Sequence, residues 1–222
     1  GVIDDDALGE KKAKLIDIIE RKYDHETARR FIDNATRLAL EIVTNHGFSI
    51  SISDLDLTAR AKNRIESIKN EYQSNVEKLI RDYKAGRLER IAGMTSEMNL
   101  ENRILQLGGM VTNEASEIVA KDLPMNSVVS MAITGARGSF VNLTQMCALV
   151  GQEALEGERI HRGYVQRTLS HFEEGNLGLT SRGFVGSSYK KGLHPFEFFF
   201  DAMNSRENLM DKSLHTRHSG YM

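Results

Sequence analysis

Cysteine is almost missing from this chain: Cys147 stands alone among 222 residues. That excludes a disulfide framework and a cysteine-rich zinc site. A single thiol fits a reducing compartment, so a cytoplasmic location is the expectation. No apolar run is long enough to span a bilayer, and no signal-peptide pattern opens the chain, so no membrane partner is expected. Net charge is also nearly absent, with Lys+Arg 29 against Asp+Glu 31. No global positive field then advertises nucleic acid, and any such contact must come from a local patch. The familiar catalytic signatures are missing as well: there is no Walker glycine loop, nucleophile elbow, HExxH or CxxC. What is present is 40% apolar and 27% charged residues, the balance of a globular chain of one domain or two small ones.

The chain opens on Gly1 rather than Met and ends at Met222, directly after a helical pattern that has not closed. The expectation is an excised segment of a longer protein. Residues 10–46 read as two helices, the first with Leu15, Ile16, Ile18 and Ile19 on one face. Asp24 is placed to cap the second, which carries Phe31, Ala35, Leu38, Ala39 and Ile42 at helical spacing and stops at Gly47. Phe48, Ile50 and Ile52 then alternate with Ser49, Ser51 and Ser53, which predicts a short strand with one buried face.

Residues 57–92 predict the strongest helix, with Ala61, Ile65, Ile68, Tyr72, Val76, Leu79 and Tyr83 stepping by three or four. After a break at 93–99, Ile104, Leu107, Val111, Ala115 and Ile118 repeat the pattern, and Pro124 ends it. Two such stripes pair most simply as an antiparallel helical hairpin whose charged outer faces project into solvent. Residues 125–152 are rich in small side chains, including Ala132, Gly135, Ala136, Gly138, Ser139 and Gly151, which predicts a packed interior. Residues 157–192 read as loops and short strands, with a basic cluster of Arg159, His161, Arg162, Arg167, His171, Arg182, Lys190 and Lys191. The last helix begins at Pro195, with Phe196, Phe198, Phe199 and Phe200 expected to bury its start. Beyond Met203 it is polar, with only Leu209, Met210 and Leu214 as an apolar edge, so it either bridges a cavity or lies on a charged ligand.

The candidate chemistry is sparse. Asp4, Asp5 and Asp6 read as a solvated cap rather than a metal site, and His161 and His171 as surface histidines without ligand-spaced partners. The run 135–139 can form a phosphate nest but reads first as an inter-helix turn. Arg206, Lys212, His215, Arg217 and His218 make the last helix the sharpest lead, with a plain solvated face as the competing reading.

Residues 133–139, reading Ile-Thr-Gly-Ala-Arg-Gly-Ser, are followed closely by Asn142, Leu143, Thr144, Gln145 and Met146. This block is similar to the "GA(R/K)GS…N(L/I)(T/S)Q" block of the largest subunit of multisubunit DNA-directed RNA polymerase, in its archaeal A′ type. Val150, Gly151 and Gln152 with Glu156, Gly157, Glu158, Arg159 and Ile160 continue it. So do Arg167, Thr168, Leu169, His171 and Phe172, then residues 181–185. Gly192, Leu193, Pro195 and residues 197–200 resemble the start of the family's bridge helix. Arg206, Glu207, Asp211, Thr216, Ser219, Gly220 and Tyr221 match positions within it. Gly1, Val2, Ile3 and Asp4 and residues 47–50 also fit, so the resemblance runs the whole chain.

The resemblance implies a mainly α fold with small β elements: an antiparallel coiled-coil-like hairpin plus a long C-terminal helix. It implies three parts: the end of a pore domain at 1–54, a funnel domain at 55–165, and the start of a discontinuous cleft domain at 166–222, with the bridge helix at 194–222. The implied activity is template-directed nucleotidyl transfer with two Mg2+ ions. Their aspartate motif, "NADFDGD", does not occur in this sequence, and the trigger loop lies further along in the family. No catalytic or metal-binding residue is therefore expected here, and the segment alone is expected to be inactive. The expected template-proximal residues are Arg206, Glu207, Asp211, Thr216, Arg217, Gly220 and Tyr221, and those of the cleft between funnel and bridge helix are Arg137, Gln145, Gln152, Glu153 and Asp201. Expected partners are the second-largest subunit, the remainder of the largest subunit, template DNA, the RNA–DNA hybrid, nucleoside triphosphates and a transcript-cleavage factor at the funnel.

Three departures from the family pattern matter. Arg217 stands where the family usually has a small residue, and either contacts template phosphate or crowds the base. The family's "HAMGGREG" is replaced at 201–208, where Asn204, Ser205 and Asn208 stand for glycines. That stiffens a helical turn by up to about 1 kcal/mol per position. Gln152 matches a position that lines the amatoxin cleft of eukaryotic relatives, but Glu153 and Asp201 replace the usual glutamine and histidine, so toxin sensitivity is not expected. The alternative reading of the residues is a stand-alone helical coiled-coil interaction module. A weaker one is a basic-helix nucleic-acid binder acting alone.

Overall fold

The computed structural model describes residues 5–8, 13–89 and 93–222. In chain order its first elements are α1 Asp5–Leu8, α2 Lys14–Lys22, α3 His25–His46, a 3-10 turn at Ile52–Leu55, α4 Ala59–Lys84, α5 Ser96–Asp122, α6 Ser127–Ile133 and α7 Phe140–Cys147. Then come β1 Gly151–Gln152, β2 Ala154–Leu155, β3 Glu158–Arg159, a second 3-10 turn at Thr180–Arg182, β4 Phe184–Val185 and α8 Pro195–Tyr221. The fold is mainly α with small antiparallel β elements, as expected. Two compact units are present: Gly1–Asp56 with Leu123–Asn142, and Leu57–Asp122 with Leu143–Met222.

In the first unit α2 and α3 follow the predicted pair. Residues 10–12 and the tetrapeptide 1–4 lie outside the described residues, while Asp5 and Asp6 open α1. Asp24 caps α3 by accepting the Thr27 amide at 2.6 Å. Hydrogen bonds from the Thr27 side chain and amide hold its carboxyl below the usual range. Gly47 closes the helix, its amide reaching the Val43 carbonyl at 2.8 Å.

Two expectations fail here. The α3 stripe is not a core face: only Ala28 is buried, and Leu38 and Ile42 are 60% and 55% exposed. Nor do residues 48–53 form a strand. No strand among the described residues pairs with them, and Phe48, Ile50 and Ile52 stay exposed. A lone extended segment leaves its backbone groups unpaired. This one turns instead, with Asp54 accepting the Ser51 amide at 2.7 Å and Ser51 accepting the Asp54 amide at 3.2 Å.

Asn126 holds this unit together across a long chain separation. Its Oδ1 accepts the Val129 amide at 2.9 Å, capping α6, and its Nδ2 donates to the Asp54 carbonyl at 2.8 Å. Asn126→Ala removes both bonds and is expected to lower stability by about 1–2 kcal/mol in chemical denaturation. An unchanged midpoint would show that the cap is redundant.

The second unit is built on the predicted hairpin. Contacts fall in antiparallel register. Thr58 donates its amide and hydroxyl to Asp122 at 2.8 and 2.7 Å, Arg64 pairs with Glu114 at 3.2 Å, and the Tyr72 hydroxyl donates to the Ile104 carbonyl at 3.3 Å. From α4 the seam takes Ala61, Ile65, Ile68, Tyr72 and Val76. The helix stops at Lys84 rather than running to 92, because Gly86 turns the chain at φ +69°. Residues 90–92 lie outside the described residues.

The α5 seam is rotated from the predicted one. It runs through Leu100, Ile104, Gly108, Val111, Ala115 and Val119, with Leu107 and Ile118 at its half-buried margin. Gly108 explains the shift. A Cβ there would lie 3.0 Å from the Gln152 Cβ and 3.1 Å from the Tyr72 hydroxyl, so the helix backbone itself fills the contact. Patterns that count apolar side chains pass over such a residue. The outer face of the hairpin is also not all solvated, because α5 packs against β1 and β3.

β1 pairs with β4 (Gly151 opposite Val185, Gln152 opposite Phe184), and β2 pairs with β3 (Ala154 opposite Arg159, Leu155 opposite Glu158). The packed interior expected over 125–152 is confined to its ends. Residues 133–139 form an exposed turn between α6 and α7, while Leu143, Thr144, Leu149 and Val150 are buried.

Candidate functional site along the C-terminal helix

α8 is clamped at its base. Glu197, in its first turn, is buried and accepts the amides of Gly186 at 3.0 Å, Ser187 at 3.3 Å and His194 at 3.0 Å. Three donors on one carboxylate fix both the entry angle of the helix and the loop after β4. Phe200 is buried and stacks on Phe172 at 6.5 Å, with Phe196 set edge-on to the same ring at 6.0 Å. Phe198 and Phe199 do not join this core; they are 62% and 49% exposed. Each residue turns about 100° around the helix. A run of aromatics therefore cannot all face one side, and α8 is covered on one side only.

Above the clamp, strand alternation separates two expected neighbours. Gln152 points at α5, where its Cβ meets Gly108, and its Nε2 donates to the carbonyls of Glu153 at 3.0 Å and Arg182 at 2.9 Å. Glu153 instead faces α8 and accepts from Asn204 Nδ2. Asp201, on the same helix face, accepts the Tyr189 hydroxyl at 2.8 Å. Burial pushes the Glu153 carboxyl up to about 7, with the Asn204 hydrogen bond opposing and the Asp201 charge adding to the rise. Burial also raises the Tyr189 phenol. Gln145 contributes its carbonyl, which accepts the Tyr189 amide at 3.1 Å. Arg137 sits in the exposed turn of the first unit.

Further along, Arg206, Glu207 and Asp211 line a groove of about 520 Å³ with Met203, Met210 and Leu214, facing Leu155 and Ile160. Glu207 accepts the Glu156 amide at 3.1 Å, among the described residues the last polar tie from α8 to the β2–β3 hairpin. Thr216, Arg217, Gly220 and Tyr221 lie beyond it on exposed turns. There the Arg217 guanidinium rests 5.7 Å over the Tyr221 ring, and the Thr216 hydroxyl donates to the Lys212 carbonyl at 2.8 Å.

The basic cluster of 157–192 is largely committed to the fold. Arg159 is fully buried and donates to both carboxylate oxygens of Glu101, at 2.7 and 2.9 Å. Arg182 donates to the Asn176 carbonyl at 3.0 Å, and burial lowers its pKa. Arg167 donates to the carbonyls of Ser170 at 3.5 Å and Phe172 at 3.3 Å. His161 and His171 are exposed. Among the described residues no helix is long and apolar enough to cross a membrane. Sequence reasoning missed Tyr189 and Glu101, whose partners are distant in the chain. Asn204 was visible only as a departure from a glycine.

This architecture defines a segment that presents helices: a paired rod and a long polar helix held at one end by a loop-rich core. Two family models match it, RNA polymerase Rpb1 domain 3 over residues 1–55 and RNA polymerase Rpb1 domain 4 over residues 79–185. DNA-directed RNA polymerase subunit Rpo1N of Thermococcus celer is 45% identical over 223 residues, covering all of this chain and 25% of that protein. The same subunit of Methanothermobacter thermautotrophicus is 46% identical over 224 residues, covering 26% of its length, and that of Halococcus morrhuae is 44% identical over 224 residues, covering 64%. The chain belongs to the family of the RNA polymerase largest subunit. It spans about a quarter of the length of the Thermococcus and Methanothermobacter relatives.

Proposed function

We propose that this chain is part of the largest subunit of an archaeal-type DNA-directed RNA polymerase and serves transcription as frame rather than as catalyst. On this reading the α4–α5 hairpin is the funnel that rims the route taken by nucleoside triphosphates and receives a transcript-cleavage factor. α8 is the bridge helix, and its end supports template DNA and the RNA–DNA hybrid. The division into pore end at 1–54, funnel at 55–165 and cleft start at 166–222 belongs to the same proposal, as do the other polymerase subunits as partners. The observation that carries it is α8: 27 residues of continuous helix, fixed by Glu197 and Phe200 at the start and exposed over its last turns. A stand-alone coiled-coil adaptor has less support, since one flank of α5 is already covered by β1 and β3.

In the whole enzyme Mg2+ would supply Lewis-acid stabilisation of the attacking and leaving oxygens. Among the described residues no group of three or more His, Cys, Asp or Glu side chains is placed to hold an ion. What this chain supplies is position. Thr216, Arg217 and Tyr221 form a polar end that can lie along a nucleic acid, the two hydroxyls as neutral donors and Arg217 as a cation toward phosphate.

A photoreactive residue placed at Thr216, in a polymerase whose largest subunit carries this chain, tests the reading. Crosslinking to the template strand near the RNA 3′ end is expected. Crosslinks to protein alone, in an enzyme that elongates normally, would remove α8 from the template.

A further inference from the structure

Glu153 is buried in the turn between β1 and β2 and meets a different group from each element packed on it. From α8 come Asn204, whose Nδ2 donates to its carboxylate, and Asp201, one turn earlier on the same face. From the loop after β4 comes Tyr189, whose hydroxyl is taken by Asp201 at 2.8 Å. From Gly183, just before β4, comes a carbonyl that accepts the Glu153 amide at 2.9 Å. No lysine, arginine or histidine among the described residues forms an ion pair with the carboxylate. The site therefore gives this acid an amide, a second acid and a phenol, and no cation. The same contact is one of the last that tie α8 to the strands before its exposed turns begin.

We infer that Glu153 and Asn204 form a proton-sensitive brace that positions α8, firm while Glu153 is neutral and weakened once it ionises, because burying a charge with no cation beside it and Asp201 nearby costs more than the stronger Asn204 hydrogen bond returns. That the braced element is the bridge helix rests on the function proposed above; the brace itself does not. The direction follows from linkage. Closed, the carboxyl titrates near 7; where the contact opens to water it returns to its ordinary value of 4.5. Between these values the closed form holds a proton that the open form lacks, so closure weakens as pH rises. Above the closed value both forms are ionised, and the loss is complete.

Amide hydrogen exchange of the full 222-residue chain, corrected for intrinsic rates, reads this directly. Protection over residues 150–156 and 201–208 is expected to fall by up to about tenfold per pH unit between pH 5 and 7, then level off. Glu153→Gln keeps the hydrogen-bonding shape without the charge, so its protection should stay flat across that range. Asn204→Ala removes the brace and leaves protection low at every pH. A flat wild-type profile, or an unchanged slope in Glu153→Gln, overturns the proposal. In the assembled polymerase, elongation rates of wild type and Glu153→Gln are expected to diverge over the same window. If exchange follows the brace while the elongation profiles superimpose, the brace stands and the bridge-helix role falls.

Discussion

Glu101→Ala is expected to lower stability by about 3–5 kcal/mol, among the largest losses available to a single substitution in this chain. The reason is the partner left behind. Arg159 has no exposed side-chain surface, and its Nε and Nη2 both donate to Glu101, with the Leu177 carbonyl as a further acceptor at 3.3 Å. Removing the carboxylate strands a cation in the interior between α5 and β3. Arginine cannot escape by losing its proton. The double change Glu101→Leu with Arg159→Met removes both charges and should recover most of the loss, since a buried ion pair is often no better than a packed apolar pair. Guanidinium denaturation of the three variants decides it. A loss below about 1 kcal/mol for Glu101→Ala would mean that water reaches Arg159 after all.

Ile104→Ala should cost about 2–5 kcal/mol, whereas Ile118→Ala, at the half-buried margin, should cost about 1. Ile104 is fully buried in the seam, and its carbonyl also takes the Tyr72 hydroxyl. The two residues are chemically identical and lie on one helix, so the pair isolates burial from propensity. Equal losses would restore the register that apolar spacing alone predicts.

That register is an instructive miss. The three-and-four spacing of α4 and α5 was enough to read two helices and to pair them, because neither stripe can remain in water. It could not say which way α5 faces, since the closest approach is made by Gly108, which has no side chain to count. Caps were legible where a single residue does the work, as at Asp24 and Gly47. The alternation at 48–53 misled because a period of two is only half of a strand; the partner is the other half, and sequence does not display it. The exposed Phe198 and Phe199 misled in the same way, composition being read as burial without the geometry of one covered side. Of the candidate site, the ordered blocks gave the family and the span of α8. The pairings of Glu101 with Arg159, Glu153 with Asn204 and Tyr189 with Asp201 join distant parts of the chain and leave no local trace.

The clamp at Glu197 and the last tie at Glu207 make α8 a cantilever. From Glu207 to Tyr221 the helix reaches about 20 Å beyond its support. A tilt of about 10° there would carry the tip some 3.5 Å, roughly the rise of one nucleotide in duplex DNA. A beam held at two points ten residues apart thus turns a shift of about 2.6 Å at Glu207 into a larger displacement at its free tip.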